Sequence, residues 1–535
     1  MLRMEQARSA ADRSARWYPH YVLGVLMLVY VFNFVDRHIL SILAESIKAD
    51  LGVTDAQMGF LYGTVFAVFY AVFGIPLARF ADVWVRRSVI SLGLMFWSAM
   101  TAVSGLARSF GELAVYRTGV GVGEASASPA AYSLLYDYYP PRLRATVVAT
   151  YSAGGYIGVG MGLFLGGAIL DFWADLYPED PPFGLKGWQV AFMMVGLPGL
   201  LMAVWVRSLR EPVRGISEGL VTEKHPAPFR VLGQELASIV PPLNVIGLVR
   251  QQASLRLNAL IAVAIAGGAA LLIAVTGDWA QWIALGIGFY ATASWVQSLA
   301  RRDPAAFAMI FRSKAMLYML FAFTSVTFVT YAIGFWTAPY LIRAHGANAL
   351  DVGLYIGFGI AAGGLLSVTA GGFVADRLRL RFTTGRLMIG YFIVLGTIPT
   401  VLLLLYTDSL VVAFWANFLY HLPSACFAGI PPSTAADLVV PRMRAVVGAF
   451  YILLATFIGL ALGPYVVGKF SDLLVTGGMG DGDALRLAMA SCMAMFVVTI
   501  VCLVQAQRHL PKDEASRVER ARALGEDVGE LPGRA

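Results

Sequence analysis

The amino-acid sequence predicts an all-α polytopic membrane protein with two six-helix bundles and an inserted two-helix hairpin, fourteen transmembrane helices in total. Three observations predict it. Of the 535 residues, 58% are hydrophobic and only 14% are charged, against roughly 25% charged in ordinary soluble domains. The apolar residues fall in runs of about 20, the helix length that crosses ~30 Å of hydrocarbon, and in lipid only helices or closed barrels satisfy their own backbone. Polar connections in the two halves of the chain also echo each other.

The apolar runs place helices near 19–43, 56–78, 87–107, 112–138, 145–170 and 187–207, then near 316–343, 350–374, 385–406, 409–436, 445–470 and 484–505. Two more runs, 257–276 and 280–298, lie between the series and are joined by the turn TGDWAQ. The first run is too long and too charged for a removable leader, so it is expected to remain as a span. The domain plan is a cytoplasmic tail over 1–18 and a first bundle over 19–212. A cytoplasmic linker over 213–315 carries the hairpin (257–298), followed by a second bundle over 316–506 and a tail over 507–535. Within the linker, FRVLGQELASIV reads as an interfacial helix.

Loop charges orient these spans. Arg3, Arg8, Arg13 and Arg16 precede the first, Arg79, Arg86 and Arg87 follow the second, and Arg142 and Arg144 follow the fourth, while the alternate loops offer only Lys48, Arg108 and Lys186. The positive-inside rule then puts both termini in the cytoplasm, in what is expected to be a bacterial inner membrane. Arg250 and Arg256 before the hairpin and Arg301 and Arg302 after it leave that topology unchanged. The net charge of +7 reflects loops facing anionic lipid, so membrane lipids are expected partners and nucleic acid is not.

The repeat is sharpest at the fourth-to-fifth connection. DYYPPRLRATVVA from Asp137 matches DLVVPRMRAVVGA from Asp437, so Asp137, Pro141, Arg142, Arg144 and Ala145 meet Asp437, Pro441, Arg442, Arg444 and Ala445 at an offset of 300. The second-to-third connections pair Ala78, Asp82, Arg86 and Arg87 with Gly372, Asp376, Arg377 and Arg381. Halves related in this way are typical of transporters whose substrate site lies between two bundles.

The loop GIPLARFADVWVRR, ending at Arg87, resembles the signature loop of the major facilitator superfamily, and GFVADRLRLR, ending at Arg381, resembles its second copy. NFVDR from Asn33 and RTGVGVGEAS from Arg117 resemble the spinster branch. The resemblance implies alternating access between two bundles, first and fourth helices that line a central cavity, and export of lysolipids or sphingolipid phosphates. Ala78 and Val83 depart from the family pattern, where Gly and Arg are usual, which implies a weaker first latch.

The charges inside the spans carry the chemistry. A charge near mid-bilayer costs ~3 kcal/mol on insertion scales and usually faces a bundle interior or a water path. Asn33, Asp36 and Arg37 share one side of the first helix, and Arg117 and Glu124 lie two turns apart on the fourth. Asp36 and Glu124 are the expected proton-coupling carboxylates. Arg37, Arg117, Asn33 and Tyr331 are expected to bind substrate, the arginines either holding the acids ionised or taking a phosphate-like headgroup. The alternative is a static paired network that only fixes packing. By the same offset the second half places Asn417 and Ser424 opposite Arg117 and Glu124, so the charge is one-sided. His38 projects from another helical face and, like His421, is expected to be a packing residue.

Asp82, Arg86, Arg87, Asp376, Arg377 and Arg381 are expected to form a cytoplasmic gate, a charge latch broken on opening inward. Gly154, Gly158, Gly162 and Gly166 form a ridge at helical spacing where a neighbouring helix can approach closely. Cys426, Cys492 and Cys502 have neither paired nor metal-like spacing, and no nucleotide-binding loop or catalytic motif is present. The expected function is thus a non-enzymatic, monomeric secondary transporter without cofactors, the proton serving as coupling ion. It would move an amphiphilic or organic-anion substrate by rocker-switch alternating access. A proton-coupled importer of small organic anions and a passive lipid scramblase remain the alternatives.

Overall fold

A computed structural model describes residues 2–214, 217 and 225–526, without the side chains of 2–16, 141, 145 and 445. The side chains of Arg3, Arg8, Arg13 and Arg16, most of the middle of the linker, and the tail beyond 526 therefore lie outside the described residues.

The described chain is helical throughout. Its helices are α1 (Leu2–Leu51), α2 (Asp55–Val83), α3 (Arg86–Ser104), α4 (Phe110–Glu124), α5 (Ala127–Tyr138), α6 (Arg144–Leu176) and α7 (Gly187–Arg207). The linker contributes α8 (Pro228–Ile239) and α9 (Asn244–Arg250), the hairpin α10 (Leu255–Thr276) and α11 (Trp279–Arg302), followed by the short α12 (Pro304–Phe311). Then come α13 (Lys314–His345), α14 (Ala349–Arg381), α15 (Gly385–Tyr406), α16 (Leu410–Ser424), α17 (Ile430–Asp437), α18 (Pro441–Thr476), α19 (Asp481–Ala515) and α20 (Arg517–Ala523).

Eleven of these are long and apolar enough to cross a membrane, or up to twelve if the bent pair α8 and α9 forms one span. The expected fourteen are thus met only in part, because the runs 87–107, 112–138 and 409–436 do not qualify. The last two are broken helices. Pro129 lacks the N–H that would bond back to Ala125, and the helix parts between Glu124 and Ala127. In the second half Pro431 and Pro432 open α17 after the gap that follows Ser424. The first-half break ends at Glu124 and the second-half break at Ser424, so the repeat offset of 300 recurs in the backbone.

The chain divides into two compact units. The first comprises 1–47, 73–235 and 348–357, the second 48–72, 236–347 and 358–535. The units trade short segments across the sequence halves: the start of α2 belongs to the second and the start of α14 to the first. Glycines allow this exchange. A Cβ on Gly353 or Gly357 of α14 would sit 2.3 and 2.5 Å from the Leu163 and Gly160 carbonyls of α6, so these backbones touch within the first unit. Within the second unit, Gly59 and Gly63 of α2 press on the Pro464 and Leu460 carbonyls of α18 at 2.5 and 2.4 Å by the same measure.

Candidate functional site: a buried charge cluster in the first unit

The cluster is assembled from two helices. Asp36 and Arg37 lie mid-way along α1, Glu124 is the last residue of α4, and Arg117 lies two turns earlier. Arg37 donates to Glu124 Oε2 through Nη2 at 2.7 Å, with the Glu124 side chain fully buried. Its guanidinium also lies 5.0 Å from the centre of the Phe34 ring, a cation–π contact that holds the stem in place. Arg117 is wholly buried and donates through Nη1 to the backbone carbonyl of Asp36 at 2.9 Å. The sequence expectation that these four charges gather is met within one unit.

Their bonding is uneven. The Asp36 side chain is completely buried, yet neither of its oxygens closes a hydrogen bond among the described residues, and Glu124 Oε1 is likewise unmet. Asp36 faces Arg117 together with Trp97 and Thr101 of α3, and Glu124 faces Arg117 and Asn33 besides Arg37. A buried polar atom lacking a partner costs ~1–3 kcal/mol, more when charged. The cluster is therefore only partly satisfied.

Trp97 and Thr101 escaped the sequence reading, since an indole and a hydroxyl in an apolar run look like core. The signal lay in the neighbouring glycines. A Cβ on Gly123 would meet the Trp97 Cβ at 2.8 Å, and one on Gly119 the Met100 side chain at 2.5 Å. The glycines of RTGVGVGEAS thus bring α3 against α4 and carry Trp97 to the acids.

The glycine ridge of α6 does the same for α1. Cβ atoms on Gly154, Gly158 and Gly162 would lie 2.8, 2.5 and 3.0 Å from the carbonyls of Met27, Val31 and Val35. Val35 immediately precedes Asp36, so this packing sets the height of the acid in the bundle. Gly158→Ala forces the α1 backbone outward and is expected to lower stability by at least ~1–3 kcal/mol, read as a fall in Tm, and to slow transport more than it lowers expression.

His38 is buried and stacks on Phe34, 5.9 Å between ring centres. Tyr331 is half-buried on α13 in the second unit, beside Tyr451.

Of the six expected gate residues, Asp82, Arg86, Arg87 and Asp376 make bonds inside their own units. Arg86 is 1% exposed; it donates to Asp137, and its Nε donates to Glu211 Oε1 at 2.8 Å. Glu211 also accepts the Arg87 backbone N–H at 3.1 Å, capping the start of α3. In the second unit Arg386 donates to Asp437 Oδ2 at 2.7 Å and to Asp376 Oδ1 at 3.0 Å. Arg86–Asp137 and Arg386–Asp437 are one pair repeated at the offset of 300, and Arg386 was the member missed in the sequence. Asp82 pairs with Arg79 at 3.7 Å, Arg377 lies 5.6 Å from the Phe373 ring centre, and Arg381 is exposed at the end of α14.

A second charged knot lies at the opposite end of the helices. Arg343 of α13 grips Asp55 with two bonds of 2.8 Å, Lys48 of α1 and Ser471 of α18 add a third and fourth, and Asp55 is 1% exposed. Asp472 accepts the backbone N–H groups of Asp55 and Ala56 at 3.0 and 2.8 Å, capping α2. Sequence inspection missed this knot because its members are single charges at run ends.

An all-helical membrane chain with a two-fold repeat and buried, partly unmet charges in one bundle has the build of a transporter. The chain belongs to the Major Facilitator Superfamily, whose family model matches residues 26–464. It is 26% identical over 508 residues to an MFS-type efflux pump of Mycolicibacterium smegmatis, covering 94% of this chain and 96% of the relative. It is 21% identical to the spinster protein of Drosophila melanogaster, over 85% of this chain and 62% of the relative. A probable L-galactonate transporter of Escherichia coli matches at 26% over 36% of this chain and 40% of its own. Among solved structures, a bacterial homologue of the human lysosomal transporter spinster, inward-facing and unoccupied, superposes with a TM-score of 0.69 at 26% identity, covering 93% of this chain and 98% of that one. The protein is thus a non-enzymatic membrane transporter similar to spinster proteins.

Proposed function

We propose that the protein is a proton-coupled secondary transporter of amphiphilic organic anions, with Asp36 and Glu124 exchanging protons and Arg37 and Arg117 switching between these acids and the anionic group of the substrate. In this reading the broken helices α4–α5 and α16–α17 and the polar α3 also span, giving fourteen spans with both termini in the cytoplasm of a bacterial inner membrane. The supporting observation is the uneven bonding of the cluster: Arg37 is committed to Glu124 while the buried oxygens of Asp36 are unmet. Burial favours the neutral form of a carboxyl group and a nearby guanidinium favours the ionised one. Drawing an arginine onto a substrate anion therefore alters what the neighbouring acid does with its proton, which is the linkage coupled transport requires.

The relatives matched over most of the chain are an efflux pump and spinster proteins, and the former supports export. Sugar-acid transporters match just over a third of it, which supports small organic anions as the substrates of a second reading, an importer. Both substrates present an anion to the arginines. A passive scramblase is disfavoured because it needs no buried ion pair.

Ligand stabilisation of the purified protein separates these cases. Lysophosphatidylglycerol is expected to raise Tm, zwitterionic lysophosphatidylcholine to do so far less, and Arg117→Leu to erase the difference. Stabilisation by glucuronate alone would transfer the assignment to small organic anions. Equal stabilisation by both lysolipids would remove the arginines from substrate recognition.

A further inference from the structure

The inserted hairpin has a grip on the second unit that its membrane-span character does not require. None of the apolar span window of α10 is buried, and Asn258 is the one residue of the helix that is. Asn258 is buried against α11, donating to Ser294 and Gln297 at 3.1 Å each and accepting from Tyr290 at 2.8 Å. This polar knot ties the two hairpin helices together, leaving α11 as the helix that meets the rest of the protein.

The face of α11 that is turned inward carries Gln281, Leu285, Gly288 and Ala291. It lands where two spans deviate from α-helical winding. Within α2, Phe60–Thr64 is a π-helical turn, and within α18 Ala455–Ala461 is another. Such turns are rare, release backbone carbonyls from the regular ladder and are frequent at functional sites. Thr64 closes the first turn and Ala461 the second.

The Thr64 hydroxyl links the two turns, and Gln281 bonds to that hydroxyl. Thr64 Oγ1 lies 2.7 Å from the Gln281 side-chain oxygen and 2.9 Å from the Ala461 carbonyl. One hydroxyl proton cannot serve both acceptors, and Gln281 Nε2 is buried without a partner. Turning the amide over gives the Thr64 hydroxyl one donor and one acceptor. Gln281 then donates to Thr64, and Thr64 donates to Ala461. Further along, Gly288 lets the Phe457 ring of the second π-turn lie flush on α11, since a Cβ there would be 2.4 Å from that ring. At the hairpin turn, Asp278 accepts from Tyr465 at 2.7 Å and from Lys469 at 2.9 Å, both on α18.

We infer that the hairpin is a clasp: by bonding Gln281 to Thr64 where the π-turns of α2 and α18 meet, it selectively holds the conformation in which Thr64 meets Ala461, and so sets how readily these two helices part during transport. A lipid-facing ornament would have no reason to place a buried amide on the two irregular turns.

Hydrogen–deuterium exchange of the full-length protein in nanodiscs tests the clasp. Gln281→Leu is expected to speed exchange of the amides of 56–66 and 455–464 by about fivefold to tenfold or more, the consequence of leaving a buried hydroxyl with one partner fewer. Exchange within 255–276 should stay unchanged, because the Asn258 knot is intact. Thr64→Val, which loses the bonds to both Gln281 and Ala461, should accelerate exchange at least as much, and the double variant should add little to it, since the Gln281 bond is already gone. Asn258→Leu, which loosens the hairpin without touching the bridge, reports whether simple misfolding imitates the effect. Additive effects of the two bridge variants, or exchange at the π-turns unmoved by Gln281→Leu in folded protein, would overturn the clasp.

Discussion

Arg37→Leu is expected to lower stability by ~3–5 kcal/mol and to abolish transport, because it leaves Glu124 fully buried without its ion-pair partner. The pair itself contributes much less than that loss. Replacing both partners together, Arg37→Met with Glu124→Gln, should restore most of the Tm while transport stays absent, since a buried ion pair is often no more stabilising than a neutral pair of similar volume. Thermal unfolding in detergent together with uptake into proteoliposomes reads both quantities. A double variant as unstable as Arg37→Leu would mean that the residues serve packing beyond their charge; a double variant that still transports would remove the pair from the mechanism.

Asp55→Ala carries the second large effect. It strips the shared carboxylate from Arg343, Lys48 and Ser471, leaving two cations facing each other in a buried site. Losing the partner of a buried charge costs ~3–5 kcal/mol in the conformation that contains it. On the proposed transport reading a second conformation exists in which these ends separate and the cations are hydrated, so much of that cost becomes a population shift of more than about a hundredfold. Spin labels on the Lys48 and Arg343 helix ends should report longer distances in Asp55→Ala than in the wild type. Unchanged distances with a lowered Tm would make the knot a purely structural clamp.

How much of this was legible in the sequence follows from the range of each interaction. The spans were readable because burial in lipid imposes a length and a composition, and 187–207 and 385–406 coincide with α7 and α15. The breaks at Glu124 and Ser424 were hidden because apolar residues continue through them, although Pro129 and Pro431 marked the sites. Asp36, Arg37, Arg117 and Glu124 stood out because charge is rare within apolar runs. Trp97 and Thr101 did not, since neither is unusual there and only the α3–α4 approach gives them a role. The partners of Arg86 and Asp55 lie far away in sequence, and no spacing rule reaches from Asp55 to Arg343. The Arg386–Asp437 pair was an exception, recoverable by extending the offset of 300 from Arg86 and Asp137.

The central claim is that the half-satisfied acids of the first unit couple transport to protons. The most direct measurement is uptake of a radiolabelled lysophosphatidylglycerol into proteoliposomes, with and without an imposed pH gradient, for the wild type, Asp36→Asn and Glu124→Gln. The predicted result is accumulation above equilibrium only with the gradient in the wild type, and at most gradient-independent exchange in the two variants. Gradient-driven accumulation at wild-type rates in both variants would contradict the account.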